Sequence, residues 1–151
     1  MSHFRAVTDG IRVELSPEER MFLGDVLPLL AGIGAPGADP AADRLNVPVY
    51  LDDPDSNEEW WRLMGDDLTA ARRSDRAVFA KTVASDEPLT LDDAEANAML
   101  RVINEARLAL GARLGIDVES DHDELPDESR QAIDFLGWFL EELTLELMKR
   151  L

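Results

Sequence analysis

The sequence predicts a mainly α protein, a bundle of four to five helices with a short N-terminal β-hairpin. Apolar residues recur every three to four positions in four separate segments, which is the period of amphipathic helices. Capping residues mark the starts of these segments. The chain has 151 residues, of which 45% are hydrophobic, so it is expected to form one domain with its own core over residues 1–151.

The chain begins with a predicted β-hairpin over residues 3–15. Two short segments, residues 3–7 and 11–15, flank the sequence Thr8-Asp9-Gly10. A three-residue connection that ends in glycine is typical of a hairpin in which the glycine adopts a left-handed conformation. Gly10 is therefore predicted to be the last residue of the turn.

The first helix is predicted over about residues 17–32. Ser16 can cap it, Pro17 suits its first position, and Glu19 can complete a capping box with Ser16. Pro28 lies inside the segment. We expect it to kink or shorten the helix, because proline has no backbone N–H to donate.

Residues 32–54 are rich in Gly, Pro, Ala and Asp and are predicted to contain no long regular element. Within them, residues 45–51 interleave apolar residues with proline, which indicates an extended segment strapped across the helices. A second capping box, Ser56 with Glu59, then predicts a helix over about residues 57–84. If this helix is split, Gly65 or Ser74 is expected to divide it.

The most strongly marked helix is predicted over residues 91–114. Thr90 and Asp93 form a candidate capping box at its start, and Gly115 suits the left-handed position after its end. Its apolar residues form a broad stripe along the helix. We therefore expect the other elements to pack around it.

The last helix is predicted over about residues 127–150. Its apolar residues extend well beyond one stripe, so it needs burial on more than one side. Either it crosses the middle of the bundle, or one of its faces contacts a second copy of the chain. The second arrangement predicts a homodimer with Phe135, Trp138 and Leu145 at the interface.

Composition argues against several classes of function. Acidic residues number 32 against 15 Lys and Arg, and the resulting net charge of -17 should repel nucleic acid. The basic cluster of Arg72, Arg73, Arg76 and Lys81 is therefore expected to be a solvated helix face.

Without cysteine the chain can form no disulfide and no thiolate nucleophile. No long apolar run indicates a membrane segment, so a cytoplasmic protein is expected.

Catalytic and metal-binding patterns are scarce. His3 and His122 are the only histidines and no glycine-rich phosphate loop occurs, so no catalytic residue and no cofactor is predicted. Alternating acids from Asp117 to Asp123, with Glu128 at the twelfth place, are similar to a calcium-binding loop. His122 replaces the glycine that such a loop needs at its sixth place, and no metal site is predicted.

The predicted central helix contains the motif Asn104-Glu105-Ala106-Arg107-Leu108-Ala109-Leu110-Gly111. The motif resembles an uncharacterised actinobacterial family, number twenty-seventeen among the domains of unknown function, and weaker similarity covers most of the chain. Met99 stands where that family has tryptophan, and Glu105 where it usually has aspartate. The resemblance implies a mostly helical fold and no assigned activity. Members of that family are often encoded near the genes of a Clp protease adaptor and of a metallopeptidase. Some of them are labelled transcription regulators.

Two polar residues of this motif, Asn104 and Arg107, are three positions apart and project from neighbouring parts of one helix face. They could bind a partner or ligand, or they could satisfy a carboxylate or carbonyl within the fold. The leading hypothesis is a non-catalytic acidic regulatory or adaptor protein that acts through protein–protein contacts. The resemblance associates it with transcription or proteolysis machinery. The alternative is a small-molecule-binding protein or enzyme with a pocket around Asn104 and Arg107.

Overall fold

The computed structural model describes residues 3–116 and 119–151. It is a mainly α fold with an N-terminal antiparallel strand pair, which confirms the predicted class. The elements in chain order are β1 (Phe4–Val7), β2 (Gly10–Val13), α1 (Pro17–Gly24), α2 (Val26–Ala31), α3 (Pro40–Leu45), α4 (Pro54–Val83), β3 (Leu89–Leu91), α5 (Asp93–Arg113), α6 (Glu119–Asp123) and α7 (Asp127–Met148). Among the described helices, none combines the length and the apolar character needed to cross a bilayer.

The three strands form one antiparallel sheet in the order β1-β2-β3. β1 and β2 are the predicted hairpin, in which Phe4 pairs with Val13. The prediction that a helix begins at Leu91 is wrong, because Leu91 lies in β3 opposite Ile11. A three-residue strand is too short to show a period of its own. Only its pairing with β2 reveals it.

Gly10 has a different role from the predicted one. It pairs with Val7 inside the strand ladder, and the turn itself consists of Thr8 and Asp9. A Cβ atom built on Gly10 would lie 1.8 Å from the carbonyl oxygen of Leu91. Glycine is required here because β3 approaches too closely to leave space for a side chain.

The predicted helix over residues 17–32 is instead two helices, α1 and α2, which meet at Asp25. The capping box at its start is present: the Ser16 hydroxyl accepts from the Glu19 N–H at 3.1 Å, and the Glu19 carboxylate accepts from the Ser16 N–H at 2.7 Å. A continuous helix would need a bond from Pro28 to the carbonyl of Gly24, and proline has no N–H to make it. In the structure Pro28 lies in the first turn of α2, where no N–H needs a helical partner.

α3 was not predicted. Asp39 caps it by accepting from the N–H of Ala41 at 2.9 Å, and Pro40 occupies its first position. Ala41 and Ala42 are buried, and α3 packs against α5. The predicted extended segment over residues 45–51 is therefore wrong at its start, and residues 46–51 are irregular. The sequence does contain a signal for the start of α3, because an aspartate directly before a proline suits the cap and the first position of a helix.

α4 is one continuous helix of 30 residues, about 45 Å long, which neither Gly65 nor Ser74 divides. It begins at Pro54, three residues earlier than predicted. Asp53 is its cap and accepts from the backbone N–H of Ser56 at 3.1 Å. Ser56, which was predicted to be the cap, lies inside the first turn because Pro54 already suits the first helical position.

α5 is the helix against which the rest packs, since it contacts α2, α3, α4, α7, β2 and β3. Its buried residues are Ala96, Ala98, Met99, Val102, Ile103, Ala106 and Ala109. Asp92 and Glu95 form its capping box, whereas the predicted pair was Thr90 and Asp93. Thr90 cannot cap the helix because it is paired within β3. Gly115 has the predicted left-handed conformation, with a φ angle of 76°.

α7 covers the free edge of β1 with carboxylates. Glu142 accepts from the backbone N–H groups of His3 and Phe4 at 2.6 and 3.0 Å. One turn later, Glu146 accepts from the N–H of Ala6 at 2.9 Å. An edge strand otherwise presents unpaired backbone groups. The two glutamates therefore join the C-terminal helix to the N-terminal strand.

We expect Glu142→Ala to lower the free energy of unfolding by about 2 kcal/mol. The substitution leaves the N–H groups of His3 and Phe4 without their acceptor at a position where the Glu142 side chain is only 15% exposed. Urea denaturation measures the change. Glu141→Ala, which removes the neighbouring exposed carboxylate, is the matched control. An equal loss in both variants would contradict the role of Glu142.

Candidate functional site

An open groove with a volume of about 1330 Å³ lies between α3, α5 and α7, and we name it the α3–α5–α7 groove. Residues from both ends of the short helix α3 and from the C-terminal half of α5 line it together with α7. Its apolar lining includes Val47, Leu108, Ile133, Trp138, Leu140 and Leu145. Charged side chains from the same three helices also line it, so the groove offers both apolar and polar contacts.

Two helix-interior glycines keep the groove open. A Cβ atom built on Gly111 of α5 would meet no atom within 4 Å, and one built on Gly137 of α7 would lie 4.0 Å from Nε of Arg107. Glycine inside a helix costs up to about 1 kcal/mol relative to alanine. The sequence contained this signal, but only the packing of α5 beside α7 shows that the two glycines line the same groove.

Arg44 and Arg107 are exposed, line the groove and have no ion-pair partner within the described part of the chain. Arg113, six residues further along α5 than Arg107, contrasts with them. It donates to Asp39 at 2.8 Å, and this contact, with backbone N–H bonds, holds the pKa of the Asp39 carboxyl well below its usual range. The guanidinium groups of Arg44 and Arg107 are thus available to a carboxylate or carbonyl of a bound molecule.

Asn104 and Arg107 were singled out as a pair from the sequence. Arg107 lines the groove, whereas the half-buried Asn104 does not. The side chain of Asn104 also makes no hydrogen bond to any group among residues 3–116 and 119–151, while its backbone belongs to α5. The structure therefore brings Arg107, but not Asn104, to the groove.

The three α7 residues predicted at a dimer interface are accessible to another molecule. Trp138 and Leu145 are 46% and 52% exposed, and both line the groove. Phe135 is 48% exposed and lies beside Phe22, with 5.6 Å between ring centroids. The opposite face of α7 is buried through Leu136, Phe139 and Leu143. α7 therefore does not cross the middle of the bundle, and α5 has that position.

His122 of α6 lies at the groove and connects α6 to α7. Its Nε2 atom is 2.7 Å from Oδ1 of Asp134, and its Nδ1 atom is 3.4 Å from Oδ1 of Asp123. These two hydrogen bonds raise the pKa of His122 above the ordinary histidine value of 6.5, and the bond to Asp134 has the larger effect. The sequence did not indicate the contact with Asp134, because only the folding of α6 onto α7 brings the two residues together.

The basic cluster on α4 is not the uniformly solvated face that was predicted. Arg73 and Lys81 are exposed, but Arg72 and Arg76 are half-buried against neighbouring helices. Arg76 donates to Glu105 of α5 at 3.3 Å, and Arg72 donates to the last carbonyl of α3 at 2.7 Å. These two arginines connect α4 to α5 and α3. Glu105, from the sequence motif, likewise has a partner inside the fold.

No three His, Asp or Glu side chains within residues 3–116 and 119–151 are arranged to hold a metal ion. The calcium-like spacing begins at Asp117, which lies outside the described residues. Its central part is α6, so His122 stands in a helix where a calcium loop needs a sharp turn.

Comparison with known proteins identifies one family. A family model described as a domain of unknown function (DUF2017) matches residues 1–147. No curated protein and no solved structure matches the chain significantly. The matched range includes every residue that lines the groove.

We expect a nuclear magnetic resonance titration to give His122 a pKa above 6.5, and Asp134→Asn to lower it. Because the folded-state pKa is raised, the stabilisation by His122 is complete below the unfolded value of about 6.5 and is lost as pH rises through the folded value. His3→Gln identifies the His122 signal, since the chain has two histidines. A pKa of 6.5 or lower, or no response to Asp134→Asn, would contradict the contact.

Proposed function

Because the chain belongs to the DUF2017 family, whose description assigns no activity, we propose its function from the groove. The protein is a non-catalytic regulatory or adaptor protein that binds a partner protein in the α3–α5–α7 groove. The observation that carries this proposal is that Arg107, Trp138 and Leu145 line one groove, although separate features of the sequence pointed to them. Arginine and tryptophan are the residue types that most often dominate binding between proteins.

The size of the groove favours a polypeptide over a small molecule. Its volume of about 1330 Å³ exceeds the roughly 300–1,000 Å³ of typical small-molecule pockets, and it is open rather than enclosed. The alternative pocket would use Asn104 together with Arg107. Since Asn104 does not line the groove, the two side chains offer no joint clamp to a ligand there.

The lining of the groove defines the chemistry of its occupant. Apolar side chains such as Leu108 and Leu140 suit leucine or phenylalanine side chains of a helix or extended segment. Arg44 and Arg107 suit a carboxylate at the edge of that segment. We therefore propose an amphipathic partner segment that carries at least one acidic residue.

The proposal also concerns the charge of the partner and the cellular location of this contact. The net charge of -17 favours approach to basic surfaces of a partner and disfavours direct contact with nucleic acid. A cytoplasmic role beside transcription or proteolysis machinery is supported by the resemblance of the sequence motif to its family. The groove would then contact a protein of that machinery.

A second copy of the chain is one candidate occupant, and the homodimer through α7 is part of the proposal. Light scattering during size exclusion is expected to give a dimer mass for the wild type and a monomer mass for Trp138→Asp, with unchanged helicity. Trp138 is 46% exposed, so its replacement removes its ring contact with His3 but keeps the buried residues Leu136, Phe139 and Leu143. Met21→Asp, at an exposed residue of α1, is the control. If the wild type is a monomer at tens of micromolar, the homodimer is excluded and the proposed occupant of the groove is a different protein.

Filling the groove is expected to weaken partner binding strongly without unfolding the protein. A leucine at Gly111 starts in open space and should raise helix stability by about 0.5–1 kcal/mol. In affinity capture from native lysate, we expect Gly111→Leu and Arg107→Glu to retain at least roughly tenfold less of the partner than the wild type. Gly24→Leu, at an open helical position outside the groove, is the matched control. Equal capture by all four proteins would overturn the proposal.

A further inference from the structure

The N-terminal part of α4, residues 54–71, contributes no residue to the hydrophobic core, and we name it the α4 arm. The buried residues of α4 all lie beyond it, at Asp75, Phe79, Thr82 and Val83. The arm is about 27 Å long at the usual helical rise. A helix in a protein gains most of its stability by packing an apolar face against other elements. The apolar residues of the arm do not receive this stabilisation from the core, because they lie outside it.

This apolar face is exposed. Leu63 and Met64 are 61% and 43% exposed, and the half-buried Trp60 and Trp61 contact each other edge to face, with 4.9 Å between ring centroids. The irregular segment before α4 adds further exposed apolar residues that do not line the groove, namely Val49, Tyr50 and Leu51. That segment lies against the arm because the N–H of Val49 donates to the side chain of Asn57 at 2.8 Å. A group of large, exposed apolar side chains of this kind is typical of an interaction site.

The same surface is strongly acidic. Residues 52–67 contain seven carboxylates and one cation, Arg62, whose Nε donates to Glu59 at 2.9 Å. Asp66 and Asp67 have no ion-pair partner within the described residues. They lie three and four positions after Leu63, so they project beside it on the same part of the helix. The apolar face is therefore bordered by unpaired negative charge.

We propose that the α4 arm is a second docking surface, separate from the groove, which binds a basic amphipathic helix of a partner protein. The apolar face of such a helix would pack on Leu63 and Met64. Its Lys and Arg residues would face Asp66 and Asp67. Helices commonly bind other helices or grooves through a single apolar face, and charge complementarity sets orientation and association rate.

The charge of the arm argues against other occupants. A second copy would bring the carboxylates of residues 52–67 against an identical set, and like charges repel. Nucleic acid and anionic membranes would be repelled for the same reason. An adaptor needs two surfaces in order to join two partners, and the groove and the arm provide them on different helices.

The test uses a synthetic peptide of about 18 residues in which leucine and lysine alternate with helical period, together with a scrambled peptide of the same composition. Fluorescence anisotropy of the labelled peptides measures binding to the full-length protein. We expect the amphipathic peptide to bind at least roughly tenfold more tightly than the scrambled one, with an affinity that falls as salt rises. Equal binding of both peptides would overturn the proposal, because it would show attraction to net charge alone.

Variants locate the binding on the arm. Leu63→Ser/Met64→Ser is expected to weaken binding by roughly tenfold, and Asp66→Asn/Asp67→Asn should weaken it and reduce its salt dependence. Glu87→Gln/Glu124→Gln has the same net charge as the second variant and should bind like the wild type. Circular dichroism checks that each variant is folded. Equal loss in the Glu87/Glu124 control, or full binding by Leu63→Ser/Met64→Ser, would overturn the proposal.

Two more measurements separate this proposal from the other interactions. Gly111→Leu fills the groove and should leave binding of the amphipathic peptide unchanged, so failure at one surface does not imply failure at the other. Light scattering tests for a second copy on the arm. A dimer that Leu63→Ser/Met64→Ser converts to a monomer would show that the arm binds itself, and would overturn the assignment to a basic partner helix.

Discussion

Burial of α5 on several sides is the constraint on which the rest of the structure depends. Four of its seven buried residues are alanines, and Ala106 and Ala109 are fully buried in this helix, which the neighbouring helices α3, α4 and α7 contact. Small side chains let those helices approach closely, and each close approach adds dispersion contacts and removes apolar surface from water. The sheet, α3, α4 and α7 all contact α5. Their positions relative to each other follow from where each one packs on this helix.

Both candidate surfaces follow from that arrangement. The groove exists because α3 and α7 pack on α5 and leave part of it, including Leu108 and Gly111, only half-buried between them. The α4 arm exists because α4 is longer than the core it packs on, so that only its C-terminal part is buried. One surface is a concave site between helices, and the other is the exposed face of one helix. They can therefore bind segments of different shape and charge.

The excess of acidic residues has more than one physical role. Asp75 accepts two bonds of 2.8 Å from Arg101 and connects α4 to α5. Glu142 and Glu146 satisfy backbone N–H groups of β1. Such carboxylates contribute to the fold itself, and buried or partly buried polar groups need partners of this kind. The net charge alone could not separate them from the unpaired acids on the α4 arm, because the distinction depends on which group lies opposite each one.

The sequence by itself determined the mainly α class, the N-terminal hairpin and the existence of α5 and α7, because helical period and capping residues act over a few neighbouring positions. It also selected Arg107 and Trp138. Tertiary structure alone decided what these features form together. β3 exists through its pairing with β2, and α3 is held by its packing on α5. The groove joins Arg107 to Trp138 because α5 and α7 lie side by side, and contacts between residues far apart in the chain leave no local pattern.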